Sequence, residues 1–157
     1  MRFWFEQIIE LLTNYILMSA VIAWLVAQII KAVISLIARE KFDLGKFLFG
    51  SGGMPSSHSA FVMALCTATG FTEGLGSSIF AVSCGLAVIV MIDASGVRFE
   101  SGEQAKILNK ITRELFSGKP DEINTGLKEL IGHTPFQVMM GAALGVGVGI
   151  TISFIAA

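Results

Sequence analysis

Charged residues, prolines, cysteines and histidines are scarce in this sequence. Only 15% of its 157 residues are Asp, Glu, Lys or Arg, and it has three prolines, two cysteines and two histidines. The formal net charge is −1 and no basic run could follow a phosphate backbone, which argues against a nucleic-acid partner. Cys66 and Cys84 lie inside apolar stretches, where a thiol usually packs as a small hydrophobic group. The cysteines therefore say little about the compartment.

Apolar side chains, in contrast, are in excess. Hydrophobic residues make up 54% of the chain and the mean hydropathy is +0.74, which is too high for a soluble domain of this size. The composition indicates an integral, multi-pass membrane protein. Glu6 and Glu10 stand near the N-terminus, where a signal peptide needs an apolar core. We therefore interpret the start of the chain as a short interfacial helix that is kept in the mature protein.

A helix needs about 20 mostly apolar residues to cross a bilayer. Residues 15–38 and 136–156 meet this requirement, residues 78–95 nearly do, and residues 56–71 form a shorter span that begins in a polar loop. The sequence therefore predicts an all-α membrane bundle of about four transmembrane helices, with the whole chain of 157 residues forming one domain.

The distribution of positive charge predicts the orientation of this bundle. Ten of the eleven Lys and Arg residues lie in the two longer connections or in the helix ends that enter them, and the eleventh is Arg2. Because basic residues favour the cytoplasm, these connections should be cytoplasmic and both termini should lie on the opposite side. The second connection, about residues 99–132, has an amphipathic pattern followed by a second short helix. We interpret it as a cap on the membrane surface, with a substrate-binding lid as the alternative.

The last span has glycines at four-residue intervals, Gly141, Gly145 and Gly149. A helix face without side chains lets another helix approach closely. The spacing therefore predicts tight packing, either within the chain or in a homodimer formed through this face.

Polar residues that could bind an anion fall at one end of the predicted bundle. The stretch SGGMPSSHSAF, residues 51–61, joins a glycine-containing loop to the start of a helix, where free N–H groups and serine hydroxyls form an anion cradle. Lys31, Arg98 and His133 come to the same end by the predicted topology. An intramembrane lysine indicates a functional site, although snorkelling to the surface is the alternative for Lys31. Each histidine, taken alone, is more often structural than catalytic.

These residues resemble the motifs of the type-2 phosphatidic acid phosphatase superfamily, which includes the vanadium-dependent haloperoxidases. Pro55-Ser56-Ser57-His58 is similar to its Pro-Ser-Gly-His motif, with Ser57 in place of glycine. The run HTPFQVMMGAALG, residues 133–145, matches the pattern His-x-Pro-x-Asp-Val-x-x-Gly-x-x-Leu-Gly except at Gln137. The chain looks most like the divergent membrane branch, whose small proteins carry Gly-Gly-Met-Pro-Ser-Ser-His-Ser, Asp-Ala-(Ser/Thr)-Gly-Val-Arg and Gly-His-Thr-Pro.

The resemblance implies a role for each matched residue. His133 would be the nucleophile that forms a phosphohistidine, and His58 the general acid that protonates the leaving group. No metal or other cofactor is implied. The residues that would hold the phosphoryl oxygens are Lys31, Gly53, Ser56, Ser57 and Arg98, and the secondary candidates for the site are Arg39, Gln137 and Asp93.

The departures from the family pattern leave three hypotheses open. The first is a phosphatase acting on a lipid phosphate or diphosphate, of the phospholipid or isoprenoid kind, at the cytoplasmic leaflet. The second is a binding or transport protein that uses the same anion site without turnover, because Gln137 supplies no charge and about thirty residues separate Arg98 from His133. The third is metal-assisted chemistry through Asp93, Glu100 and Glu103, which we expect instead to be solvated or paired with lysines.

Overall fold

The computed structural model describes residues 1–38, 53–115 and 132–156, and only the backbone of residues 98, 99 and 113–115. The described chain is helical, as predicted. The second short helix predicted in the insertion lies outside the described residues. The helices are α1 (Arg2–Thr13), α2 (Tyr15–Ile37), α3 (Ser57–Glu73), α4 (Ser78–Ser95), α5 (Val97–Leu115) and α6 (Pro135–Ala156).

Short polar residues set the helix boundaries. The Asn14 side chain separates α1 from α2 and accepts a hydrogen bond from the N–H of Leu17. Ser56 and Ser77 do the same for the first turns of α3 and α4. Each side chain satisfies a backbone donor that the first helical turn leaves without an intrahelical partner. The local sequence therefore determines where these helices begin.

Within the described residues, three stretches are long and apolar enough to cross a membrane: Tyr15–Ile37, Pro135–Ala156 and Ser78–Thr112, the last running through α4 into α5. α3 has 17 residues and is about 25 Å long, at the lower limit for a spanning helix. Large apolar side chains face outward; Ile89 is 68% exposed and Phe154 is 70% exposed. This outward apolar surface suits lipid, and the predicted membrane bundle is confirmed.

α3 is the centre of the bundle and packs against α2, α4 and α6. Where α2 meets α3, both surfaces consist of small residues: Ala23 and Ala27 lie on α2, and Ala60 and Ala64 on α3, all fully buried. Lipid tails are as apolar as the protein surface, so helices in a membrane associate through close packing rather than through the hydrophobic effect. Small residues permit that close packing.

α6 lies even closer to α3, because its three spaced glycines face α3. A Cβ atom on Gly141 would collide with the carbonyl oxygen of Ser56, and one on Gly145 with that of Ala60. A Cβ on Gly149 would lie 2.8 Å from the Cβ of Thr67. The predicted close packing is therefore found within the chain. A homodimer stays a prediction, and it would have to use a surface that these contacts leave free.

α1 and α5 lie at the margins of the bundle. None of the residues of α1, which is described in full, is buried, and Phe3, Trp4 and Phe5 are all exposed. Aromatic side chains on an amphipathic helix are typical of the interface between membrane and water. α5 follows α4 after a break at Gly96 and forms the amphipathic helix that the insertion predicts.

Candidate functional site

The carboxyl ends of α2 and α4 and the amino ends of α3 and α6 meet at one end of the bundle. Lys31 Nζ on α2 donates to Ser57 Oγ on α3 over 3.2 Å. The N–H of Ser56 donates to the carbonyl of Gln137 over 3.1 Å, and the N–H of His133 donates to the carbonyl of Ala94 over 3.1 Å. These three bonds join four helices around the predicted motifs.

Ser56 is fully buried and organises the start of α3. Its Oγ accepts hydrogen bonds from Ser59, at 3.4 Å from the backbone nitrogen and 2.9 Å from the hydroxyl. Its N–H is bonded to Gln137, so the first turns of α3 and α6 are fixed to each other. The structure thus gives Ser56 a capping and positioning role, and its direct contact with a phosphoryl oxygen stays a prediction.

Two helix amino ends lie side by side at this site. Each amino end carries about half a positive charge and N–H groups without intrahelical partners. Lys31 adds a full charge, held near the first turn of α3 by its bond to Ser57. Gly53 has a φ of +77°, a conformation that favours glycine, and it passes close to the stem of Lys31. This arrangement favours an anion.

His133 is buried, with 3% of its surface exposed, and stands just before α6. Its Nδ1 lies 3.3 Å from Oε1 of Gln137. The same Oε1 accepts the N–H of Thr134 over 3.1 Å, while Thr134 Oγ1 accepts the N–H of Gln137 over 3.4 Å. This reciprocal pair is a capping box, with Pro135 at the first helical position.

The capping box decides which nitrogen of His133 carries the proton. The N–H of Thr134 requires an acceptor, so the oxygen of the Gln137 amide faces both Thr134 and His133. An amide oxygen can only accept, so a hydrogen bond between these two atoms requires the proton of the neutral ring on Nδ1. The lone pair of the neutral ring is then on Nε2. A neutral glutamine thus achieves the orientation expected from an aspartate, without adding a negative charge.

Among the other predicted residues, the structure describes the side chains of His58 and Asp93 but not those of Arg98 and Arg39. His58 is exposed and lies in the first turn of α3, and Asp93 is half-buried in the last turn of α4. Arg98 lies in the first turn of α5, and its side chain is outside the described part of the structure. Arg39 lies outside the described residues altogether.

The Glu103 carboxylate of the metal hypothesis forms an ion pair with a lysine. The Glu103 carboxylate lies 2.7 Å from Lys106 Nζ, one turn further along α5. Both side chains are more than a third exposed, so this is an ordinary surface ion pair. The pairing with a lysine that we predicted is therefore present for Glu103.

The sequence analysis assigned no role to Thr134 or Gln28. Thr134 stands three residues before Gln137, and the spacing Thr-x-x-Gln before an apolar run is a readable capping signal. Gln28 lies one turn before Lys31 and is 5% exposed; among the described residues none donates to its Oε1. Its three-residue spacing from Lys31 puts both side chains on the same side of α2.

Comparisons with known proteins agree with the motif assignment. A family model described as "Divergent PAP2 family" matches residues 12–148. The protein described as "Uncharacterized membrane protein YuiD", from Bacillus subtilis (strain 168), is 41% identical over 155 residues, covering 92% of this chain and 98% of the relative. No solved structure matches the chain.

Proposed function

Because the chain belongs to the divergent PAP2 family, we propose that it is a membrane phosphatase that hydrolyses a lipid phosphate or diphosphate through a phosphohistidine at His133. The observation that carries the proposal is the hydrogen bond between His133 Nδ1 and Gln137 Oε1. The N–H of Thr134 donates to the same oxygen and so holds it towards His133. It presents Nε2 as the nucleophilic nitrogen at the same end of the bundle as Lys31.

In the first step of the proposed reaction, Nε2 of His133 attacks phosphorus and the bond to the leaving oxygen breaks. His58 donates a proton to that oxygen, so the lipid alcohol, or the lipid monophosphate from a diphosphate, leaves in its protonated form. In the second step, a water molecule gives a proton to His58 and attacks phosphorus, which releases phosphate and restores both histidines. Lys31, Ser57 and the N–H groups of α3 stabilise the charge on the phosphoryl oxygens.

The proposed substrate has a phosphate head group and a hydrocarbon tail. A head group of this kind suits the lysine and the two helix amino ends, and the tail can stay in lipid because the spanning helices expose large apolar side chains. We place the site at the cytoplasmic face on the basis of the charge distribution of the connections.

A second candidate is a lipid-phosphate binding or transport protein without turnover. It is favoured by Gln137, which orients His133 but supplies no negative charge to stabilise an imidazolium. In a serine protease, exchange of the orienting aspartate for asparagine costs about ten-thousandfold in turnover by enforcing the wrong tautomer. Here the tautomer suits attack by Nε2. Glutamine in place of aspartate therefore removes only the negative charge that would stabilise the imidazolium.

The test is to incubate the purified protein with a panel of lipid phosphates and to measure phosphate release with and without vanadate. Vanadate mimics the pentacoordinate phosphoryl group, so it should block the wild type. His133→Ala should abolish release and His58→Ala should reduce it strongly. Lys106→Met is the matched control, because Lys106 lies in the surface ion pair on α5, and it should release phosphate like the wild type.

Each candidate function predicts a different pattern. Vanadate-sensitive release that requires His133 supports the phosphatase. Saturable binding of lipid phosphate with no product, in the wild type as in His133→Ala, supports the binding protein. Release that survives His133→Ala contradicts the phosphohistidine mechanism.

A further inference from the structure

The two cysteines of the chain face each other across the contact between α3 and α4. Cys66 Sγ on α3 lies 3.4 Å from Cys84 Sγ on α4, and both thiols are free. Cys66 is 7% exposed and packs in an apolar cluster with Val62 and Ala87, against which Cys84 also packs. The fold thus brings together two thiols that are 18 residues apart in the sequence.

A neighbouring contact holds the two sulfurs in this register. A Cβ atom on Gly70, one turn after Cys66, would lie 2.9 Å from the ring of Phe80, which stands one turn before Cys84. The helices cannot slide past each other without moving Phe80 from the space that Gly70 leaves. The sulfurs would have to approach by only about 1.4 Å to reach the bond length of a disulfide, which side-chain rotation can supply.

Cys84 is the more accessible of the two thiols. It is half-buried, and the next residue, Gly85, is exposed and has no side chain to cover it. A Cβ atom on Gly85 would have no neighbour within 4 Å. Because Cys84 lies inside the apolar stretch of α4, it is reached from the lipid acyl chains rather than from water. A reagent for this thiol must therefore dissolve in the bilayer.

We propose that Cys66 and Cys84 form a reversible oxidation site, at which a lipid-soluble hydroperoxide converts the two thiols into a disulfide that cross-links α3 to α4. The proposal is independent of the reaction at His133. Since α3 carries Ser57 and the Ala94 carbonyl of α4 accepts the N–H of His133, the cross-link would join two helices that reach the candidate site.

The oxidation takes two steps. Cys84 Sγ attacks the terminal oxygen of the hydroperoxide, the O–O bond breaks, and an alcohol leaves with the thiol proton, so that Cys84 becomes a sulfenic acid. Cys66 Sγ then attacks the Cys84 sulfur, the S–O bond breaks, and the hydroxyl leaves with the second thiol proton as water. The sulfurs lose two electrons and the peroxide gains them. The second step is intramolecular and therefore fast, and a dithiol reverses the cross-link by thiol–disulfide exchange.

The chain contains no other cysteine, so any disulfide within one molecule must join this pair. Reduced protein in phosphatidylcholine vesicles is treated with tert-butyl hydroperoxide, and the cross-linked peptides are measured by mass spectrometry. The wild type should form the disulfide and lose it with dithiothreitol. The matched control combines Cys84→Ala with Val82→Cys, because Val82 is 66% exposed on the lipid-facing side of α4. It keeps two thiols and should form the disulfide at least about tenfold more slowly. No disulfide in the wild type, or equal rates in both proteins, would overturn the proposal.

Single variants test the order of the steps and the effect of the cross-link. Cys66→Ala stops after the first step, so dimedone should trap a sulfenic acid on Cys84 several-fold faster than on Cys66 of Cys84→Ala. Equal trapping would contradict Cys84 as the reacting thiol. Oxidised wild type should unfold at a higher fraction of denaturing detergent than reduced wild type. The same peroxide treatment should not raise this fraction in either single variant, and both keep all seven methionines as a control for their oxidation. A wild type that gains no resistance on oxidation contradicts a cross-link between packed helices.

Discussion

The close approach of α6 to α3 can be tested with one methyl group. Gly141→Ala places a Cβ atom against the carbonyl of Ser56, which caps α3. Gly147→Ala makes the same change six residues later on the same helix, where the Cβ atom has no neighbour within 4 Å. The difference between the two variants therefore isolates the packing contact from every effect of alanine itself.

The expected magnitudes follow from two opposing effects. Alanine favours a helix over glycine by about 1 kcal/mol, which both variants gain. Overpacking a tight contact costs about 1 to 3 kcal/mol, which only Gly141→Ala incurs. Gly147→Ala should thus be as stable as the wild type or more stable, and Gly141→Ala should be about 1 to 3 kcal/mol less stable than Gly147→Ala.

The assay is unfolding in mixed micelles by increasing the fraction of denaturing detergent, followed by helical circular dichroism. Gly145→Ala is a second test of the same contact, since its Cβ atom would collide with the carbonyl of Ala60. The reasoning is refuted if Gly141→Ala and Gly145→Ala are both as stable as Gly147→Ala. In that case α6 does not lie this close to α3.

Three further predictions concern the site. Ser56→Ala removes the cap of α3 and should lower the free energy of unfolding by about 1 kcal/mol, measured in the same detergent titration. Ser57→Ala is its control. It should lower stability less and weaken lipid-phosphate binding more, because Ser57 contacts Lys31. Lys31→Met keeps the apolar stem but removes a charged donor, so affinity for a lipid phosphate in a binding assay should fall about tenfold to a hundredfold. Gln137→Leu removes the acceptor of His133 Nδ1 and should reduce phosphate release at least about a hundredfold, whereas Gln137→Glu keeps that acceptor, adds a charge and should retain or raise release.

Each of these predictions has an outcome that contradicts it. If Ser56→Ala and Ser57→Ala exchange their effects, the division between capping and binding is wrong. Unchanged affinity in Lys31→Met would place the lysine outside the anion site and favour snorkelling to the surface. Phosphate release from Gln137→Leu at the wild-type rate would show that the orientation of His133 does not matter to the reaction.

The architecture was predictable because its signals are local. Asn14, Ser56 and Ser77 each stand directly before a helix, which their side chains cap. The turn between α3 and α4 contains two glycines, and Gly74 adopts a φ of +83°. The hydropathy of the sequence identified α2, α4 and α6, but its signal was weaker for α3. A short central helix covered by its neighbours needs fewer large apolar residues.

The partner of the glycine face was not predictable from its spacing. Glycines at four-residue intervals allow close approach of any helix, in the same chain or in another. Only the tertiary structure shows that Gly141 and Gly145 face the start of α3. The same limit applies to Gly147, which appears in sequence as one more glycine of the same helix, although a Cβ atom there would have no neighbour within 4 Å.

The hydrogen bonds around the candidate site could not be predicted from the sequence. The motifs propose His58, His133 and Lys31 as site residues, which stays a prediction, and the structure adds the direct bond from Lys31 to Ser57. The role of Gln137 depends on a backbone N–H, that of Thr134, which motif comparison does not consider. Nor could motif comparison show that Ser56 is fully buried, because Ser56 and its neighbour Ser57 differ in which helix they face rather than in residue type.

The most direct test of the account is the transfer of label to the protein. Radiolabelled lipid phosphate is mixed with the wild type, His58→Ala and His133→Ala, and the reaction is stopped under alkaline conditions, which preserve phosphohistidine. Label should appear on His133 of the wild type, should form more slowly in His58→Ala and should be absent from His133→Ala. Phosphate release by the wild type with no labelled protein, or equal labelling of His133→Ala, would contradict the assignment of His133 as the nucleophile.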